Sequence, residues 1–382
     1  MQKKIIALAV AGLASTAAFA QTNVTIYGVA DATYDYVSAP GSRAGGATDF
    51  KARSRVTSNS SYIGFKGVED LGNGLKAVFQ FENGLNTENG AAGAWNNRDS
   101  YVGLAGGFGT VVMGNLTGPT RALGAKLDIN AGATGIGMNN ALIGKFGGGS
   151  GASHFDQRLN NAVAYVSPNM GGFTGVIGYT AGYTASGLVG AETNGADSTI
   201  RGNTGWTLGA NFEGGPVYVG YAYTRVEQDA AANGPAGVTM WDDHRVGAIF
   251  KIGSVAQIGA LWDQHKQGYA GRSPLQQDVF YVNAKVNVGK GAIIGQFGQA
   301  NDLRGGLGAV DHTGARHYTL GYEHSLSKRT TLKAVYSMIN NQQNASYDFL
   351  YGVSAANSTA TANAFSAGAD PRGLSVGIRH AF

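Results

Sequence analysis

The chain has 382 residues, with 61 glycines, 7 prolines and no cysteine, and only 14% of its residues are charged. The lack of cysteine excludes a disulfide scaffold, so the fold must rest on its own ladders and packing. The formal net charge is +4, and +2 once Lys3 and Lys4 are set aside, which gives a nucleic-acid partner no electrostatic support.

The first segment reads as a secretory signal peptide over residues 1–20. Lys3 and Lys4 supply the positive start, Ile5 to Leu13 the apolar run, and Ala18-Phe19-Ala20 the small-x-small cleavage site. That apolar run is too short to cross the ~30 Å of a bilayer core, and no later run approaches the ~18 apolar residues of a membrane helix. The mature chain then covers residues 21–382, exported and starting at Gln21.

From there the dominant signal is a period of two. In Leu75 to Glu82 the odd positions are apolar and the even ones mostly polar. Phe280, Val282, Ala284, Val286 and Val288 oppose Tyr281, Asn283, Lys285 and Asn287. The same split recurs at Val246 to Ile252, at His317 to Glu323 and at Thr331 to Met338. Successive side chains of a strand point to opposite faces, so each segment has one apolar and one polar face. Short turns such as Gly106-Gly107-Phe108-Gly109 and Gly289-Lys290-Gly291 alternate with long segments at 38–54, 185–203, 227–242 and 341–370. Short turns at one end and long loops at the other are the plan of a transmembrane antiparallel β-barrel.

Counting between these breaks predicts about sixteen strands, an even number as bacterial barrels require. They fall near 23–37, 55–67, 74–85, 96–106, 109–116, 158–168, 173–183, 204–213, 216–226, 243–252, 254–265, 277–289, 291–301, 314–325, 329–340 and 372–382. Tyr34, Tyr36, Tyr101, Tyr183, Trp206, Tyr223 and Trp262 fall near strand ends, where aromatic girdles sit. The polar face carries Asp31, Asp35, Lys76, Glu82, Lys285, Lys333 and Arg379, which could not be buried dry, so it is expected to line water.

Four ordered segments carry a resemblance to the Gram-negative outer-membrane porin family, in particular its trimeric betaproteobacterial type. They are Val24 to Asp31, Gly64 to Ala77, Arg98 to Leu104 with the following Gly106 to Gly109, and Gly377 to Phe382. Arg158 to Pro168 is a weaker fifth. The resemblance implies a homotrimer in the outer membrane of a Gram-negative bacterium, passing small hydrophilic solutes and ions. It also implies that Phe382 is the signal read by the barrel assembly machinery. Small outward residues near the start, Gly28, Ala30 and Ala32, would suit a subunit seam.

In this family the third loop folds inward and narrows the pore, and the Gly-, Ala- and Asn-rich stretch at 116–157 occupies that place. By the same resemblance Arg98, Arg158 and Glu82 stand on the wall of the constriction, with Asp128 as the loop's acid. Lys76 shares the polar side of its strand with Glu82. Tyr62 and Asn115 stand where arginines are common, which thins the arginine cluster. Lumen-facing Lys66, Lys76, Lys285 and Lys333 still tilt the balance toward a weak anion preference, with Lys333 placed away from the neck.

No catalytic residue, metal or cofactor is expected. Gly373-Leu374-Ser375-Val376-Gly377 fits an esterase template, but that motif needs a strand, a turn and a helix, and only five residues follow it. The rival from another class is a lipase-like barrel enzyme, which would need a serine and a histidine together on the outer wall, where His324 and His380 are predicted to lie. A third reading is a substrate-specific channel on the same barrel.

Overall fold

The computed structural model describes residues 23–88, 95–147, 156–181, 204–227, 238–305, 311–349 and 366–382. The signal segment, the Gln21 start and Tyr183 lie outside these residues. Seventeen strand segments form one sheet: β1 (Asn23–Ala39), β2 (Phe50–Ser58), β3 (Tyr62–Gly72), β4 (Leu75–Gly84), β5 (Ser100–Gly106), β6 (Gly109–Thr117), β7 (Arg158–Val166), β8 (Phe173–Ala181), β9 (Thr204–Gly214), β10 (Val217–Glu227), β11 (Val238–Ile252), β12 (Ala256–Tyr269), β13 (Arg272–Val288), β14 (Gly291–Ala300), β15 (Ala315–Ser325), β16 (Thr330–Asn341) and β17 (Arg372–Ala381).

Every pairing between these strands is antiparallel, and β1 closes the sheet on β17 in a register running from Val29 opposite Ala381 to Ser38 opposite Arg372. On its other edge β1 meets β2 along its second half and β3 along its first half. β2 and β3 are therefore one crossing, interrupted at 59–61, where Ser60 adopts a positive φ of 57°. Asp31 fills the gap: its backbone N–H bonds the Ser61 hydroxyl at 2.9 Å, and its carbonyl accepts from Asn59 N at 2.9 Å. Seventeen segments thus make the sixteen crossings of a closed barrel. Hydrocarbon demands this closure, because an open edge would leave backbone N–H and C=O groups without partners.

The seam ends on the last residue. Gly28 and Phe382 exchange two backbone hydrogen bonds, at 3.2 and 3.1 Å. A Cβ on Gly28 would lie 2.6 Å from the tip of the Phe382 ring. The small residue expected at a subunit seam is therefore covered by its own chain's terminus, while Ala30 stays exposed.

Parity follows the alternation. Val246, Phe250, Phe280, Val282, Leu320 and Ile378 are exposed on the outer wall, as are Tyr34, Tyr36 and Trp206. Tyr101 departs from the predicted girdle. It alternates with outward Val102 and Leu104, and its hydroxyl turns inward to Gln80 at 3.3 Å. Several strands also run further than predicted. β11 starts at Val238, inside the stretch read as loop, and β13 starts at Arg272.

The loop between β6 and β7, here L3, folds into the barrel. Within this Gly-, Ala- and Asn-rich stretch stand helix α1 (Pro119–Leu127) and a short helix α2 (Asn140–Ile143). Pro119 opens α1 at the position where proline needs no hydrogen bond. Pro119, Leu123 and Leu127, spaced by four, form the stripe that meets the wall. The wall answers with glycines on three neighbouring strands. A Cβ at Gly209, Gly220 or Gly247 would come within 2.8 Å of Pro119, 2.6 Å of Leu123 or 2.1 Å of Leu127, respectively.

A second loop also turns inward. The segment after β16, read as an outer polar loop, buries Ala345, Tyr347 and Phe349 in one apolar cluster with Ile136, Leu142 and Ile143 of L3. Lys145 of L3 pairs with Asp348 at 2.9 Å. The polar faces of β9 to β16 therefore do not simply line water. Much of that side is packed and dry.

The glycine groove makes a direct expectation. Gly247→Val would force both Leu127 and the Ala260 carbonyl, 2.9 Å from the new Cβ, to give way. Overpacking of this kind costs about 1–3 kcal/mol. The barrel should lose that much stability in urea unfolding, whereas valine at Gly295, where a Cβ would meet nothing within 4 Å, should leave it nearly unchanged.

Candidate pore constriction

With L3 packed on β9 to β16, the polar side chains left facing open lumen come mainly from β3 to β7 and from the inner edge of L3. Three of the expected residues meet there. Arg98 Nε lies 3.3 Å from Glu82 Oε2, and its guanidinium sits 4.5 Å over the ring of Tyr62. Tyr27 Oη donates to Glu82 Oε1 at 2.8 Å, and Gln80 adds a second bond at 3.3 Å. The register explains the meeting, since Tyr62 on β3 pairs with Gly84 of β4, and Arg98 N bonds the Glu82 carbonyl at 3.3 Å. Tyr62 thus takes the place of a wall arginine by holding Arg98 through a cation–π contact.

Arg158, at the start of β7, pairs with Asp99 rather than with a loop acid. Thr117 Oγ1 also donates to Asp99, at 2.7 Å. Arg158 lies within electrostatic reach of Arg98 and of Arg121, which projects from α1 and donates to the Asp156 carbonyl. Asp99 and Arg121 were not singled out in the sequence. Asp99 sat in the motif already quoted, beside Arg98, and the arginine of a helix facing water was the missing signal at 121.

Asp128 is elsewhere. Its oxygens accept from Asn130 N at 2.8 Å, Asn130 Nδ2 at 2.9 Å and Asn139 N at 2.6 Å, so it staples L3 to itself. It borders a cavity of about 410 Å³ beneath L3, with Lys251, Lys285 and Asn287, toward the short-turn end of the barrel. No contact joins it to Arg98 or Arg158 among the described residues. Burial pushes its carboxyl up to about 6, against the pull of the three donors. Lys76 is not brought to the arginines either. It lies one residue into β4 from the Gly72–Gly74 turn and is exposed.

The adjoining wall, on β1, β16 and β17, carries a second charged group. Asp31, fully buried, accepts Lys333 Nζ at 2.7 Å and Arg379 Nη1 at 3.4 Å, and Thr134 of L3 donates to it at 3.2 Å. Lys333 therefore lies beneath the tip of L3, paired with Asp31 and in no contact with Arg98 or Arg158 among the described residues. Glu323 closes this side by accepting Ala131 N and Lys285 Nζ, both at 2.6 Å. The esterase template lies mid-strand in β17, where Ser375 donates to Asp35 at 2.6 Å.

A pH dependence follows from the staple. The folded value of Asp128 lies above the ordinary carboxylate's 3.8, so its contribution to stability is fully present below 3.8 and is lost as pH rises through about 6. Asp128→Asn removes that dependence. Measured by barrel unfolding on gels, stability of the variant relative to wild type should improve over this window, by at most roughly 1.4 kcal/mol per pH unit. A flat difference would mean the carboxyl is not buried in solution.

These features have close counterparts. The model of the Gram-negative porin family matches residues 7–345. Outer membrane porin protein 32 of Delftia acidovorans is 33% identical and covers 100% of both chains. The major outer membrane protein P.IB of Neisseria lactamica is 28% identical over 87% of this chain and 91% of its own. Among solved structures, an anion-selective porin from Comamonas acidovorans superposes with a TM-score of 0.74 and 28% identity, covering 95% of this chain and 100% of that one. An OmpT of Vibrio cholerae in its trimer form shares the fold, with a TM-score of 0.64 at 14% identity. By its closed sixteen-crossing barrel, its inward loop and these relatives, the chain belongs to the family of Gram-negative outer-membrane porins.

Proposed function

We propose that this porin conducts small hydrophilic solutes and ions with a weak preference for anions, through a neck bounded by Arg98, Arg158, Glu82 and Tyr62 on the wall and by Arg121 on L3. The observation that carries this reading is an asymmetry of exposure. Side-chain exposure is 20% for Arg98 against 10% for Glu82, 32% for Arg121 against 9% for Asp156, and 24% for Arg379 against 0% for Asp31. Arg158 and Asp99 reverse it, at 17% and 25%. Formal charges nearly balance, but most of the cations reach water while their partners are withdrawn into the wall. Low-dielectric walls focus such a field on the passing ion. The anion selectivity named for the Comamonas relative supports the same sign.

Reversal potentials across a salt gradient test this. Arg98→Ala and Arg158→Ala should shift selectivity toward cations, Glu82→Gln and Asp99→Asn toward anions, and Lys76→Ala very little. The shifts should shrink as salt rises and the Debye length falls from ~30 Å at 0.01 M to ~3 Å at 1 M. Unchanged potentials at low salt would dismiss this neck and leave the barrel standing.

Assembly is part of the same proposal. The porin forms a homotrimer in outer-membrane lipid, inserted by the barrel assembly machinery that reads Phe382; the ring of Phe382 lying on Gly28, and the two backbone hydrogen bonds between them, support a role in closing the seam. Deleting Phe382 should lower the heat-sensitive trimer band on unboiled gels, whereas Lys328→Ala in the β15–β16 turn should not. Wild-type trimer levels without Phe382 would contradict the assignment.

A further inference from the structure

Behind L3, four charged or titratable side chains form a square on two neighbouring strands. Asp243 and Arg245 of β11 stand opposite His265 and Asp263 of β12, respectively, and all four are fully buried. Arg245 Nε and Nη2 bond Asp263 Oδ2 at 3.1 and 2.7 Å. His265 lies between the two acids, with Nε2 3.3 Å from Asp263 and Nδ1 3.5 Å from Asp243. Donor atoms of Asp243, Asp263 and His265 fall within 4.8 Å of one another, a spacing that could suggest a cation site. The guanidinium already faces that ring, 4.0 Å from Asp243, and a divalent ion there would meet a buried positive charge.

The side of Arg245 that meets L3 shows what the square is for. Its Nη1 donates to the Thr120 carbonyl at 2.7 Å and to Asp156 Oδ1 at 2.9 Å, and its Nη2 reaches the Ile143 carbonyl at 3.5 Å. One side chain therefore touches the first turn of α1, the end of α2 and the returning limb of L3. Gly124 makes the room, since a Cβ there would be 2.6 Å from Nη1. Phe146 closes the other side, its ring 6.2 Å from His265 and 5.9 Å from Trp241.

We propose that Arg245 is the positioning residue of the constriction: it clamps both limbs of L3 to the barrel wall and so fixes the width of a neck whose permeating ions it never touches. The inference rests on L3 being the constriction loop. Its physical basis is that lifting L3 would take the acceptors from Nη1 of a fully buried guanidinium and leave Asp263 alone to hold its charge. The acids behind it keep the fork aimed, because Asp263 holds Nε and Nη2 on one side while L3 takes the remaining donors. Nothing in the alternation marks this role, since Arg245 reads as one more lumen-facing charge on its strand.

The absence of native cysteine allows a clean test. An Ala141→Cys reporter, buried in L3, is labelled with a water-soluble maleimide in purified trimers, alone and with Arg245→Met. The reporter should label about tenfold faster in the methionine background, the factor given by losing roughly 1.4 kcal/mol of anchoring. Single-channel current should then flicker among sub-states instead of holding one level. A disulfide between Leu123→Cys and Gly220→Cys, which face each other across the groove, should restore the steady level when oxidised and not when reduced. General misfolding would not be rescued this way. Arg245→Lys, which keeps the charge and loses the fork, gives the same comparison if the methionine variant fails to insert. Wild-type labelling and steady current in inserted variants would overturn the clamp. Fast labelling with unchanged current would support the clamp and instead refute L3 as the constriction.

Discussion

Hydrocarbon offers no partner to a backbone N–H or C=O, and from that constraint most of this molecule follows. The sheet must close, and it does so where β1 meets β17 and the terminal Phe382 exchanges hydrogen bonds with Gly28. Closure fixes the parity of every strand. One face must be apolar for lipid, and the other receives the charges of the strands, Asp31, Glu82, Arg245 and Lys333 among them. A porin of this size is therefore obliged to manage a lumen crowded with carboxylates, lysines and arginines, each needing water or a partner.

The molecule manages them in two ways on two sides. On β9 to β16 the polar wall is covered by L3 and by the loop after β16, and its charges are paired out of reach of water, as in the Arg245–Asp263 square and the Lys333–Asp31 pair. On β3 to β7 the charges stay wet. There Arg98 stacks on Tyr62 and pairs with Glu82, and Arg158 pairs with Asp99. The dry side holds the loop still so that the wet side can present a defined edge to ions. Rigidity and selectivity are thus divided between two sets of charges that look alike in sequence.

That likeness marks the limit of what the sequence discloses. A period of two is enforced along every strand, so the number of crossings, their order and the outward faces at Val246, Phe280 and Leu320 could be read directly. Turn glycines placed the short ends. Tyr62, Glu82, Arg98 and Arg158 were reached through the resemblance, and strand pairing sets the first three side by side. Loop contacts obey no period, and there the reading failed. Asp128 looked like the loop's free acid, yet Asn130 and Asn139 occupy it. Lys333 looked like a solvated lumen charge, yet strand neighbours and L3 bring Asp31 and Thr134 together beside it. Tyr101 looked like a girdle residue until its neighbours Val102 and Leu104 fixed its side. The helix α1 was legible in principle, through Pro119 and the leucines four apart, but its glycine groove is spread over three strands that lie far beyond it in the chain.

The central claim is that ions pass between L3 and the arginine wall, not between L3 and the glycine groove. Crystals of the porin soaked in bromide test it most directly, because anomalous scattering locates the anion itself. The account predicts bromide beside Arg98, Arg121 and Arg158, on the open side of L3. Bromide sites confined to the other side of the loop, between α1 and β9 to β11, with none at the three arginines, would contradict it.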